Sequence, residues 1–139
     1  WAPNLKKHIR KLEKVQRAAT KMVPDLRDLT YEDRLNRMQL PTLENRRERG
    51  DLIAIYRVMN GMEKMDREDL CVWNERVSRG HGRKLKMATC RRDVKKYSFP
   101  HRSVEAWNSL DVEVVNARNI HDFKKKLDIS RYGDGTARV

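Results

Sequence analysis

Four side chains able to ligate a metal, Cys71, His81, Cys90 and His101, stand ten, nine and eleven residues apart. Structural zinc sites bring two ligands within two to five residues of each other, so that one turn aims both. No such pair is present, so buried thiols and surface histidines are the expected roles, and no metal or other cofactor is implied. Nothing beside Cys71 or Cys90 marks either as an activated nucleophile. Arg79-Gly80-His81-Gly82 lacks the spacing of a phosphate-cradling loop. Glu32-Asp33 and Glu68-Asp69 read as helix-start charges. No catalytic residue is expected.

Chemistry of another kind is concentrated between Arg76 and Lys96. Nine cations, Arg76, Arg79, Arg83, Lys84, Lys86, Arg91, Arg92, Lys95 and Lys96, face one acid, Asp93. Trp73 precedes the block, and Tyr97 and Phe99 follow it. Cations neutralise phosphates and release counterions, and nearby aromatics can stack on unpaired bases. The competing reading is a solvated loop whose aromatics are tucked into the core. Local density favours nucleic-acid contact for the charges. For Trp73, Tyr97 and Phe99 the core is the expected place, because the chain has few other large residues to bury.

The surrounding composition agrees. The 139 residues carry a formal charge of +12, which favours a polyanionic partner: RNA, DNA or an anionic membrane surface. The charge is uneven: by count, residues 1–24 carry +6, 25–75 carry −3, 76–96 carry +8 and 97–139 carry +1. No apolar run is long enough to span a bilayer, and the first residues lack the apolar centre of a signal peptide. Two cysteines are too few for a disulfide scaffold, so a reducing compartment, nucleus or cytoplasm, is expected.

The elements that must position these groups read as mostly helical. The expected fold is a small bundle with an irregular or β-containing basic segment around residues 73–100. One domain over 1–129 and a flexible tail over 130–139 are expected. A first basic amphipathic helix runs from Asn4, its cap, to Val23, and Pro24 stops it. Leu5, Ile9, Leu12, Val15, Ala19 and Met22 form its apolar stripe. Lys6, Lys7, Arg10, Lys11, Lys14, Arg17 and Lys21 fill most of the remainder.

Thr30 with Asp33 opens a second helix in a variant of the capping box, with Tyr31, Leu35 and Met38 inside. Thr42 caps a third helix, Leu43–Asn60, which Gly61 stops. Its core residues are Leu52, Ile53, Ile55, Tyr56 and Met59. Gly50 marks either a close helix approach or a break. Arg46, Arg47 and Arg49 sit among Glu44, Glu48 and Asp51 and read as structural. A short helical turn at Asp66–Val72 and β segments at Leu85–Thr89 and Tyr97–Phe99 follow. A helix at Arg102–Leu110 has Val104, Trp107 and Leu110 on one side. Asn119 and Asp122 open a last helix, Ile120–Leu127, with Ile120, Phe123 and Leu127 inside.

The first helix carries a further signal. Trp1 and Pro3, then Leu12, Glu13, Val15, Gln16, Arg17, Thr20 and Lys21, resemble the segment after the polymerase domain in reverse transcriptases of jockey-like non-LTR retrotransposons. Tyr31-Glu32-x-Arg34-Leu35 resembles the family's next element. Leu40, Leu43, Glu44, Arg46, Arg47 and Arg49-Gly50-Asp51-Leu52 resemble the one after. Arg79-Gly80-His81, Lys84-Leu85, Tyr97-x-Phe99-x-x-Arg102 and Trp107-Asn108-x-Leu110 continue the order. Val114-Val115-x-Ala117 and Phe123-Lys124-x-x-Leu127-Asp128 complete it, over roughly residues 1–128. Asp111 stands where the family usually has proline, and Ala18 where a second arginine is common. Polymerisation in the family needs an Asp-Asp turn to hold metal ions. This chain has no Asp-Asp pair.

The resemblance implies a C-terminal, non-catalytic accessory piece, partnered by the polymerase domain and holding template RNA or target DNA. The expected contacts are Arg76, Arg79, His81, Arg83, Lys84, Lys86, Arg91, Arg92, Lys95, Lys96 and Arg102, with Lys14, Arg17 and Lys21 of the first helix. The rival expectation is a protein-interaction or structural module, docking on the polymerase or surviving as a degenerate or host-recruited fragment.

Overall fold

The computed structural model describes residues 2–64, 74, 79–86, 89 and 91–133. They are mostly helical: α1 Lys6–Lys21, α2 Tyr31–Met38, α3 Leu43–Met59, α4 Asp93–Lys96, α5 Val104–Asn108, α6 Val112–Val115 and α7 Ile120–Tyr132. Single 3₁₀ turns lie at Pro24–Leu26 and His101–Ser103. The expectation of a mostly α fold is met. The chain gathers into two compact units, one of residues up to Glu48 and one from Arg49 onward.

The first unit is held by polar side chains. The residues of α1 turned toward α2 are Ile9, Glu13, Gln16 and Thr20, and only Thr20 is fully buried. Tyr31 donates its hydroxyl to Glu13, and the other Glu13 oxygen accepts from the Leu43 amide at 3.1 Å. Glu13 thus satisfies the first orphan amide of α3 from a different helix. Thr42 accepts from Asn45 N–H at 3.2 Å, as its place before α3 led one to expect. Gln16 donates to the Pro41 carbonyl at 2.9 Å, fixing the loop into α3. The buried Arg34 donates to Thr20 Oγ1 at 3.1 Å and to the Leu29 carbonyl at 2.6 Å.

Several sequence expectations change here. Leu5, not Asn4, stands at the N-cap of α1, and it makes no side-chain cap bond. The apolar stripe of α1 only partly coincides with its packed face: Ile9 turns toward α2, but Leu5, Val15 and Met22 are exposed. Thr30 caps α2, accepting from Asp33 N–H at 3.2 Å. The helix then ends at Gln39, whose φ of 54° is left-handed, with Leu40 N–H returning to the Leu35 carbonyl at 2.9 Å.

The second unit has an apolar core. Leu52, Ile55, Tyr56 and Met59 of α3 pack with Leu85, Val104, Trp107, Leu110, Val114, Val115, Phe123 and Leu127. Tyr56 stacks on Phe123 with ring centres 4.2 Å apart, and Trp107 leans on the same ring at 6.2 Å. The Tyr56 hydroxyl donates to the Ala117 carbonyl at 2.7 Å. Gly61 ends α3 in the left-handed region, as expected, with Met62 N–H bonded to the Arg57 carbonyl at 2.8 Å. Asn119 caps α7 by accepting from Asp122 N–H at 2.8 Å.

Gly50 neither breaks α3 nor allows a close approach, since a side chain there would meet nothing within 4 Å. The last helix runs on to Tyr132 rather than ending at Leu127, and Ser130 is helical. Its extra turn carries Asp128, whose buried carboxylate holds Arg49. Tyr97–Phe99 is a turn after α4, not a β segment. Leu85 forms an isolated bridge, and part of the expected segment Leu85–Thr89 lies outside the described residues. The expected turn at Asp66–Val72 lies outside them too.

Candidate nucleic-acid interface

The basic segment separates into an outer and an inner set. Lys86, Arg91, Arg92, Lys95 and Lys96 are exposed, as is Arg79. Four of them flank or belong to α4, a single helical turn beginning at Asp93. Tyr97 caps its C-terminal end and is 38% exposed, so it is not the core residue expected from its size. The Lys96 ammonium lies 5.3 Å from the Tyr97 ring centre. An exposed ring in a chain segment rich in exposed cations can present its face to a base while the cations hold phosphates. Phe99 does pack against the core. Arg76, Trp73, Cys71 and Cys90 lie outside the described residues.

The inner set is spent on the fold. His81 is buried, and its Nε2 lies 3.0 Å from the Trp107 carbonyl. A carbonyl only accepts, so Nε2 carries the proton and Nδ1 accepts from the Arg83 amide at 3.3 Å. Burial pushes the His81 pKa down, the Trp107 carbonyl partly opposes this, and Lys84 adds to it. His81 is therefore a neutral internal brace and not the expected surface contact. Trp107 returns the favour by donating its indole N–H to the Arg83 carbonyl at 2.9 Å.

Arg102 is likewise withdrawn from the expected interface. Its guanidinium makes two parallel bonds to Asp51, at 2.7 and 2.8 Å, and Ser103 adds a third to that carboxylate at 2.9 Å. A bidentate pair of this kind leaves little of the guanidinium fork for a phosphate. Arg83 is half-buried and reaches Asn60 at 3.4 Å, and the Lys84 ammonium donates to the Arg79 carbonyl. Asn108 Oδ1 accepts from Leu85 N–H and its Nδ2 donates to the Leu85 carbonyl, both at 2.8 Å. Charge counting could not separate the two sets, because a partner such as Asp51 or Trp107 is distant in sequence.

On α1, Lys14, Arg17 and Lys21 are exposed, together with Lys6, Lys7, Arg10 and Lys11. At 100° per residue these seven occupy the sector opposite to the apolar stripe's centre and beside the α2-facing side. Arg17 also lies over the Tyr31 ring, 4.7 Å from its centre. Between α1, α2 and the start of α3 is a cleft of about 490 Å³ whose lining includes Arg10, Lys14, Arg17, Tyr31, Glu13, Glu32 and Glu44. Its mixed charge suits it less to a polyanion than the α4 surface. Among the described residues no group of three or more His, Cys, Asp or Glu is placed to hold a metal ion. None of their helices is long and apolar enough to cross a membrane.

No family model matches the chain, no curated protein matches its sequence, and no solved structure matches its fold.

Proposed function

We propose that this chain is a non-catalytic nucleic-acid-binding accessory domain of a non-LTR retrotransposon reverse transcriptase. It holds template RNA or target DNA through phosphates, inside a reducing nucleus or cytoplasm and beside a polymerase domain. One observation carries the reading: Arg91, Arg92, Lys95 and Lys96, in and just before a single helical turn, are all exposed, and the turn ends on an exposed Tyr97. The ordered resemblance over residues 1–128 supports it. So does the internal pairing of residues from separate resembling segments, Glu13 with Tyr31, Thr20 with Arg34, and Asp51 with Arg102.

A fluorescence titration against RNA and DNA at several salt concentrations tests this. If about five cations engage duplex phosphates, affinity falls with a log–log slope of about −4 to −5. Charge reversal at Arg91, Arg92, Lys95 and Lys96 weakens binding more than reversal at Arg46 and Arg47. Tyr97→Ala lowers affinity for single strands by about 1–3 kcal/mol and leaves duplex binding almost unchanged. A flat salt response, or equal losses from both charge reversals, rules the interface out.

A further inference from the structure

One side chain of α4 neither holds phosphates nor enters the core. Val94, the second residue of the turn, is 84% exposed, more than any other large apolar residue described. A lone exposed valine is ordinary, but Val94 has a companion. Tyr97 closes the same turn, its N–H bonded to the Asp93 carbonyl at 2.9 Å, so helical spacing holds from Asp93 to Tyr97. At 100° per residue Val94 and Tyr97 share one side, about 60° apart, with Lys95 about 100° beyond Val94 and Lys96 about 100° beyond Tyr97. Residues 91–97 hold four cations and one acid, Asp93, which falls between Tyr97 and Lys96. The turn is anchored at its end. Ser98 Oγ donates to the Lys95 carbonyl at 2.7 Å, the Arg102 N–H donates to the Ser98 carbonyl at 3.0 Å, and Phe99 packs against the core. Two apolar side chains are thus held out to water from a fixed base within a cationic stretch.

We propose that Val94 and Tyr97 form an apolar tip that fills a gap in base stacking, so that the α4 site takes nucleic acid with an interrupted stack in preference to a continuous duplex. The inference rests on the nucleic-acid reading of α4 and assigns the class of ligand. Its chemistry follows from the two side chains. A tyrosine ring stacks on a base face, and an aliphatic side chain wedges into a base step. In a continuous duplex every base face is covered, so the tip enters only by unstacking a step, which costs free energy. At a gap, a bulge or an unpaired strand the faces are already open, and the apolar pair leaves water without that cost. Cations contact phosphates in either case, so they set affinity while the tip sets the preference. An anionic bilayer offers the same charge, but stable interfacial anchors are long amphipathic helices or paired lipid chains. Two side chains on a turn of four residues supply neither.

The test uses the full chain and one labelled DNA duplex, either intact or with a one-nucleotide gap at its centre, in fluorescence anisotropy at fixed salt. The gapped duplex should bind about tenfold more tightly than the intact one, the size of a single base–aromatic stack. Val94→Ser should cut that preference about threefold or more and leave intact-duplex affinity within about twofold, because the phosphate contacts remain. Val94→Leu, which keeps an apolar wedge, should retain the preference. Val94 is exposed, so circular dichroism should show the wild-type helix content in both variants. Equal affinity for the two duplexes overturns the inference. So does a preference untouched by Val94→Ser, which would leave Tyr97 alone on the base. Recruitment to phosphatidylserine vesicles abolished by Val94→Ser would give the tip to a membrane and overturn it equally. Salt-sensitive binding without preference would sink this inference alone, whereas no binding to either duplex at low salt would sink the nucleic-acid reading with it.

Discussion

Arg49 and Asp128 stand 79 positions apart and meet in a two-pronged ion pair, at 2.7 and 2.9 Å. The Asp128 side chain is only 2% exposed. The pair ties the middle of α3 to the late turn of α7, and removing the guanidinium leaves the buried Asp128 carboxylate without its ion partner. Arg49→Met should therefore destabilise the chain by about 3 kcal/mol, through an unpaired buried carboxylate. Arg49→Met with Asp128→Leu should recover much of that loss, because two apolar groups leave nothing unpaired. Urea unfolding of the two single variants and the double variant measures the coupling, and additive losses would show that the pair has no energetic link.

Gly50 lies in the interior of α3 with open space around the position of a side chain. Gly50→Ala should stabilise the helix by about 1 kcal/mol, by lowering the unfolded chain's freedom at no steric cost. Thermal unfolding reads this directly, and a lower midpoint would mean that the glycine serves a contact absent from this fold.

His81 makes stability depend on acid. Its folded pKa lies below the ordinary value of 6.5, first because of burial. The unfolded chain therefore binds the proton more readily, and its contribution is fully present above about pH 6.5 and lost as pH falls through the folded value. Protonation also converts Nδ1 from acceptor to donor, directly against the Arg83 amide. Melting curves between pH 7.5 and pH 5 should show a fall in midpoint that is smaller in His81→Gln. Equal pH dependence in the two proteins would place the acid sensitivity elsewhere.

Tyr31 gives the opposite limb. Burial first, then the bond to Glu13, raises its pKa from 10.0 to about 12. A raised folded pKa means that its stabilisation is intact below pH 10 and disappears as pH climbs through about 12. Tyr31→Phe should lose about 1–2 kcal/mol at neutral pH, since the hydroxyl serves a charged acceptor. It should also show a shallower alkaline decline between pH 10 and 12. Chemical denaturation across that range checks both, and an unchanged neutral stability would deny the lock between α1 and α2.

The elements whose signals are local could be read from sequence. Thr30, Thr42 and Asn119 cap the helices they precede, because a cap bond spans only three residues. Val104, Trp107 and Leu110 share a buried side because helical periodicity places them there. The face of α1 could not be read the same way. Hydrophobicity pointed to Val15 and Met22, but Tyr31 and Arg34 supply polar partners from another helix, so Glu13, Gln16 and Thr20 turn inward. The interface was legible as a charged region and not as a set of residues: His81 and Arg102 were lost to Trp107 and Asp51, whereas the exposure of Tyr97 depends on where α4 ends.

Asn108 matters for what it replaces. Its carboxamide offers Leu85 a donor and an acceptor side by side, the same pair that a peptide group in a neighbouring strand offers. A side chain thus stands in for a backbone, and the pairing is finished by one residue. A true strand in that position would expose its far side as a row of unsatisfied amides and carbonyls, a template for other chains. A carboxamide has no far side. The same pairing is chemically narrow, since an aspartate in that position would turn an acceptor toward the Leu85 carbonyl. Loss of that one nitrogen would therefore set two acceptors against each other and undo this corner of the molecule.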